Sequence, residues 1–175
     1  GGAFRPGDEV MVLPSGRRTR IAAIDTCDGS VAEAVPPMSV TIRLTDDVDI
    51  SRGNLIASVA YPPKAAREIE AWVCWMSERA NLTPGARYFI KHTTHSARAI
   101  VQSVEGRLDI NSLKEHPDDT LTLNEIGRVR LKTTEPLFVD WYSQNRRTGS
   151  FILIDEVTNN TVGAGMIVGA TEEDD

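Results

Sequence analysis

The stretch that most constrains the fold lies near the end of the chain, PLFVDWYSQNRRTGSFILIDEVTNNTVGAGMIV from Pro136 to Val168. An apolar run leads into a polar turn carrying Asn145, Arg146 and Gly149, and a second apolar run follows from Phe151 to Ile154. After a polar turn at Thr158 to Asn160, Gly163 and Gly165 alternate with Val162, Ala164 and Met166. Short apolar runs bounded by Gly, Asn, Thr and Asp read as antiparallel strands and hairpins. Glycines at i and i+2 fall on one face of a strand, where they let another backbone or a bulky ring come close. The stretch holds no nucleophile–base pair and no metal-ligand spacing, so it is a structural signature before it is anything else.

The rest of the chain follows the same grammar. Arg5-Pro6-Gly7-Asp8 is a turn signal, Glu9 to Leu13 a strand, Pro14-Ser15-Gly16 a turn and Arg17 to Asp25 a second strand. From Ser39 to Leu44, Val40, Ile42 and Leu44 face one way and Ser39, Thr41 and Arg43 the other, a half-buried strand. Asp46 to Gly53 reads as an acidic loop and Asn54 to Val59 as a strand. Tyr61-Pro62-Pro63-Lys64 ends this unit, because consecutive prolines cannot join a ladder and favour an extended connector. The first unit, residues 1–61, has a size at which a lone core is marginal, and its first strands are expected to be missing or displaced.

Ala65 to Ala80 admits two readings. Ile69, Trp72, Val73, Met76 and Ala80 fit a helical stripe, whereas Val73, Cys74, Trp75 and Met76 also suit a strand buried on both faces. Thr83-Pro84-Gly85-Ala86 has the type II turn preference. Arg87 to His92 and Ala97 to Val104 read as strands around a His-Thr-Thr-His-Ser turn. Leu121 and Leu123 alternate with threonines, and Val129 and Leu131 with arginines. Strands recurring at short spacing without a convincing long helix argue for an all-β barrel or sandwich over residues 66–168, with an acidic tail at 169–175.

Composition excludes more than it assigns. Hydrophobic residues at 41% and charged residues at 25% belong to a folded globular chain. Setting aside the carboxylates of Glu172, Glu173, Asp174 and Asp175 brings the formal charge from −6 to −2, which exerts no general pull on nucleic acid or an anionic membrane. No apolar stretch approaches the roughly 20 residues of a membrane span. Cys27 and Cys74 lie far apart and form no CxxC, so neither a disulfide framework nor a zinc site is expected and the cytoplasm is the expected compartment.

Candidate sites are few. His92 and His95 stand at i, i+3, but in a hairpin with no third ligand they read as exposed turn histidines. His116 sits in a polar loop. Asp46, Asp47, Asp49, Asp118 and Asp119 lack the spacing of a calcium loop. Gly163-Ala164-Gly165 is no dinucleotide fingerprint, and no P-loop or GxSxG elbow occurs anywhere. Trp72, Trp75, Trp141 and Tyr142 divide between interface anchors and core fillers. Asn145 and Arg146, on a turn displayed between two apolar runs, are the better interface candidates, together with Asp140 and Trp141 at the head of that turn.

These residues carry a family likeness. TVGAGMIV (Thr161 to Val168) resembles the last strand of the third domain of elongation-factor-like GTPases. Phe4 to Asp25 and Asp49 to Ser58 resemble the second half of their second-domain barrel. VCWM (Val73 to Met76), KHTT (Lys91 to Thr94), RLDINSL (Arg107 to Leu113) and the long segment from Asn145 to Met166 are similar to the GTPase subunits of bacterial sulfate adenylyltransferases, which in some bacteria are fused to adenylylsulfate kinase. The likeness covers nearly the whole chain up to Val168.

The resemblance implies two antiparallel β-barrels, the first incomplete, with Glu70 to Met76 as the opening strand of the second. It implies a parent whose N-terminal domain holds GTP and magnesium. The parent's partner would be a smaller catalytic subunit that makes adenylylsulfate and pyrophosphate from ATP and sulfate, driven uphill by GTP hydrolysis. With no nucleotide motif in this sequence, no catalytic, cofactor-binding or metal residue is carried over to it. The implied role is mechanical: barrels that move against the GTPase domain and transmit its state to the catalytic subunit. Two other readings stay open, a translation-factor fragment that binds RNA and a freestanding β-barrel interaction module.

Overall fold

The computed structural model describes residues 2–172, which contain twelve β-strands and no helix. Two compact units divide at Pro63–Lys64. The first holds β1 (Glu9–Leu13), β2 (Arg17–Thr26), β3 (Gly29–Ser30), β4 (Thr41–Leu44) and β5 (Leu55–Ser58). β2 pairs with β1, β3 and β4, and β1 pairs with β5, all antiparallel, giving an open sheet that amounts to half a barrel. Its core is small: Val10, Ile21, Ile24 and Ala34, with Phe4, Val40, Ile42, Leu44 and Ile56 packed partly over them. The alternation around position 42 holds, since Ile42 and Leu44 are half-buried and Thr41 and Arg43 exposed.

The second unit contains β6 (Lys64–Trp75), β7 (Arg87–His92), β8 (His95–Asp109), β9 (Lys114–His116), β10 (Ile126–Val139), β11 (Ser150–Ile154) and β12 (Thr161–Glu172). The order β10-β6-β12-β11-β7-β8 closes on itself through a β8–β10 pairing, and β9 extends β8 as a short hairpin. Closure satisfies the backbone of all six ring strands and leaves no free edge among them. The core runs from Trp75 and Ile69 through Ile90, Val129 and Leu131 to Leu153 and Ile167, all buried.

Residues 64–75 are strand throughout. From Ile69 onward the period is two: Ile69, Ala71, Val73 and Trp75 point into the barrel, while Glu70, Trp72 and Cys74 lie at its exterior. The helical stripe fails because it would have placed Trp72 and Met76 beside Ile69, and Met76 is 41% exposed. β6 begins at Lys64, directly after the two prolines, and β12 runs on to Glu172 by pairing with the start of β6. The last strand therefore extends into the stretch read as an acidic tail; Glu173 to Asp175 lie outside the described residues. Another expectation needs correcting at Leu121 and Leu123. Leu121 is buried and bridges Leu82, but Leu123 is exposed, because Thr122 to Glu125 is a turn with Asn124 at φ 65° rather than a strand.

The glycines of β12 do what their spacing suggests. Gly163 pairs with Trp75 on β6 and Gly165 with Phe151 on β11. A Cβ on Gly163 would stand 3.2 Å from Trp75 Cε3, and one on Gly165 would overlap the Phe151 ring. The missing side chains are thus the space in which two core aromatics lie.

Candidate functional site

Between β10 and β11 the chain makes a ten-residue loop, Asp140 to Gly149, held from inside by its own polar groups. Asp140 Oδ2 accepts hydrogen bonds from Thr148 Oγ1 at 2.5 Å and Asn145 Nδ2 at 3.3 Å, and Asn145 Oδ1 accepts from the Arg147 amide at 3.2 Å. Backbone bonds from Gln144 and Asn145 to Trp141, and from Gly149 to Asn145, wind the loop into a tight turn. Tyr142 N–H and Gly149 C=O then fasten it to Ile167 of β12.

His92 supplies a further strut. It is 3% exposed, and its Nε2 donates to the Thr148 carbonyl at 2.7 Å. The expectation of an exposed turn histidine is thereby overturned: the loop, 56 residues away in sequence, packs over the imidazole. Burial pushes the His92 pKa below its ordinary value, an effect opposed in part by the Thr148 carbonyl and Asp140. His95 remains half-exposed beside Glu135 at 3.2 Å. No group of three or more potential metal ligands occurs among the described residues.

The four sequence candidates separate into two kinds. Asp140 and Asn145 are half-buried and spend their side chains on the loop itself. Trp141, 43% exposed, and Arg146 are displayed, with the Arg146 guanidinium 5.9 Å from the centroid of the Tyr142 ring. Arg146 and Tyr142 also line an open groove of about 930 Å³ on the barrel exterior, whereas Asp140, Trp141 and Asn145 do not.

That groove runs across β6, β12, β11 and β7, and its floor is apolar: Trp72 and Cys74 of β6, Ala164 and Met166 of β12, Ile152 of β11. Lys91, Arg146 and Arg147 stand over it, and among the described residues no carboxylate or histidine lines it. The sequence did not single out this set, yet it held one signal. A strand whose two faces are both apolar has one face inside the barrel and another to cover. The adjoining exterior of β6, β8 and β10 carries the ordinary pattern, a ladder of Arg128 with Glu70 (3.1 Å), Arg130 with Glu105 (3.6 Å) and Lys132 with Glu68 (3.2 Å). Chemically, the groove can bind by contact and charge.

This barrel is a known one. The family model for GTP-eEF1A C-terminal domain-like sequences matches residues 68–168. The chain belongs to this family. It is 54% identical over 170 residues to the bifunctional enzyme CysN/CysC of Mycobacterium tuberculosis, a match covering 95% of this chain and 27% of that protein. It is 41% identical over 174 residues to sulfate adenylyltransferase subunit 1 of Bacteroides fragilis, covering 99% of this chain and 36% of the relative. The corresponding subunit of Alteromonas mediterranea is 42% identical over 167 residues, covering 95% and 35%. The chain thus spans about a quarter to a third of the length of these relatives. Among solved structures, Sup35 complexed with GDP superposes with a TM-score of 0.86 at 21% identity, covering 98% of this chain and 42% of that one, which establishes the translation-factor fold.

Proposed function

We propose that the chain is the β-barrel region of the GTP-hydrolysing subunit of a sulfate adenylyltransferase, the enzyme that forms adenylylsulfate and pyrophosphate from ATP and sulfate. The observation carrying this reading is identity of 41–54% along nearly the whole chain to proteins named CysN/CysC and sulfate adenylyltransferase subunit 1. In this reading GTP and magnesium are held by another domain of the same subunit, since this sequence has no P-loop. The barrels couple that domain to the catalytic small subunit, and they contribute no residue to either active site. Asp140 and Asn145 shape the loop that presents Arg146 and Trp141 to a partner. A fused adenylylsulfate kinase domain would be a further neighbour, and the cytoplasm is the proposed compartment.

A domain exchange tests the reading. The matching 170 residues of the Mycobacterium tuberculosis relative are replaced by this chain, and GTP-dependent adenylylsulfate formation is measured with the catalytic subunit present. Activity within about tenfold of the parent is expected. A hybrid that folds and hydrolyses GTP but no longer drives adenylylsulfate formation overturns the coupling role. The isolated chain is expected not to bind GTP in a calorimetric titration.

A further inference from the structure

The exterior of the second barrel changes character along single strands. On β6 the outward positions are Glu68 and Glu70 at one end and Trp72 and Cys74 at the other. The charged end is knitted to Arg128, Arg130 and Lys132 by ion pairs, and the apolar end is open. On β12 the outward Ala164 and Met166 continue the apolar end, with Met166 39% exposed. An apolar patch confined to one end of a barrel and bordered by polar residues marks a contact surface.

The charges at that end are uncompensated. Lys91, Arg146 and Arg147 are exposed, and among the described residues none of them pairs with a carboxylate, while Arg128 and Arg130 on the neighbouring β10 pair at 3.0–3.9 Å. The floor strands are all interior members of a closed ring, so their backbone groups are satisfied and an added strand has nothing to pair with. Whatever covers the groove does so with side chains. The surface therefore selects a segment presenting an apolar ridge flanked by carboxylates.

We propose that this groove is the seat of an amphipathic, acid-flanked segment of the catalytic small subunit, an assignment that rests on the function proposed above. The ridge lies on Trp72, Ile152 and Met166, and the flanking carboxylates meet Lys91, Arg146 and Arg147. Charge complementarity to Lys91, Arg146 and Arg147 sets the polarity of the partner.

Two measurements on the full chain decide it. In the first, purified catalytic subunit is titrated into wild-type chain, Met166→Glu, the pair Arg146→Glu with Arg147→Glu, and Lys132→Glu, outside the groove at the charged end of the strands, as a control. Each groove variant is expected to weaken binding at least tenfold, the control to leave it within twofold, and added salt to weaken the wild-type complex. Arg146 and Arg147 lie on an exposed loop, so their exchange keeps the test informative if Met166→Glu unfolds the barrel. Groove variants that bind like wild type overturn the groove and leave the function standing.

In the second, a 15-residue amphipathic helical peptide with leucines on one face and glutamates beside them is titrated while the Trp72 indole and Met166 methyl resonances are followed. Both are expected to shift, and to stay still for the same peptide with lysines in place of glutamates. If the catalytic subunit fails to bind wild-type chain, the proposed function is overturned, and this arm alone judges the groove. Absent shifts, equal binding of the lysine peptide, or displacement of the glutamate peptide by poly(U) RNA overturns the acidic occupant.

Discussion

One added methyl group is enough to test why β12 carries a glycine at 165. Phe151 fills the space above Gly165, and β12 is held between β11 and β6, so neither backbone can retreat. Gly165→Ala is expected to cost about 3 kcal/mol, at the upper end of overpacking penalties. Gly169→Ala, where the new Cβ meets Glu70 Cβ at an ordinary 3.4 Å, should change stability by under about 0.5 kcal/mol. Adding Phe151→Leu to Gly165→Ala should recover part of the loss as a coupling of about 1 kcal/mol in a urea-denaturation double-mutant cycle. His92 gives the second test at this scale. Its folded pKa is depressed by burial, so below its ordinary 6.5 the unfolded chain binds more protons than the folded one. The stability it contributes is therefore complete above that value and is lost as pH falls through the folded pKa. Denaturation midpoints from pH 7.5 to 5.5 should fall more steeply for wild type than for His92→Gln; equal slopes would show that the ring does not resist protonation. Sequence could not reveal this histidine as buried. Its local surroundings, Lys91 and Thr93-Thr94, are those of a turn, and the loop that covers it arrives from Thr148.

At the level of elements, β6 is the instructive case. Ile69, Trp72, Val73 and Met76 satisfy a helical stripe as well as a strand, and no local signal separates the two. What settles the matter is long-range: pairing with β10 on one side and β12 on the other fixes the period at two. Alanine substitutions along it should therefore give a saw-tooth. Trp75→Ala is expected to cost about 4 kcal/mol and Val73→Ala about 2 kcal/mol, while Cys74→Ala between them costs under about 0.5 kcal/mol. A helical profile, with Trp72 and Met76 as costly as Val73, would contradict the strand. The turns are legible because turn chemistry is local: Pro84-Gly85 makes its turn with Gly85 at φ 83°, and Thr93-Thr94 joins β7 to β8 as a hairpin with His92 opposite His95. Leu121 and Leu123 misled because alternation over four residues fits a turn flanked by one buried leucine equally well. The groove escaped notice for a related reason. Its floor comes from four strands whose order around the ring, β6-β12-β11-β7, is not their order in sequence.

For the whole molecule, the two units differ in how much of a fold each contains. Lys64 to Asp175 encloses a continuous core in a closed ring, from Ala66 through Leu131 to Ile167. Gly1 to Pro63 has only the small core cluster of Val10, Ile21, Ile24 and Ala34 under an open sheet, with β4 and β5 each paired on one side only. Burial of that extent, at about 25 cal/mol per Å² of apolar surface, does not offset the entropy of ordering some sixty residues. Residues 64–175 expressed alone are therefore expected to unfold in a single cooperative transition and to show dispersed amide resonances. Residues 1–63 alone are expected to give the narrow spectrum of an unfolded chain, because the edges of β4 and β5 have no covering strands within that segment. Cooperative melting of the isolated 1–63 segment would show that its half-barrel core suffices. It would also remove the reason to seek, in the relatives three to four times this chain's length, the strands that complete it.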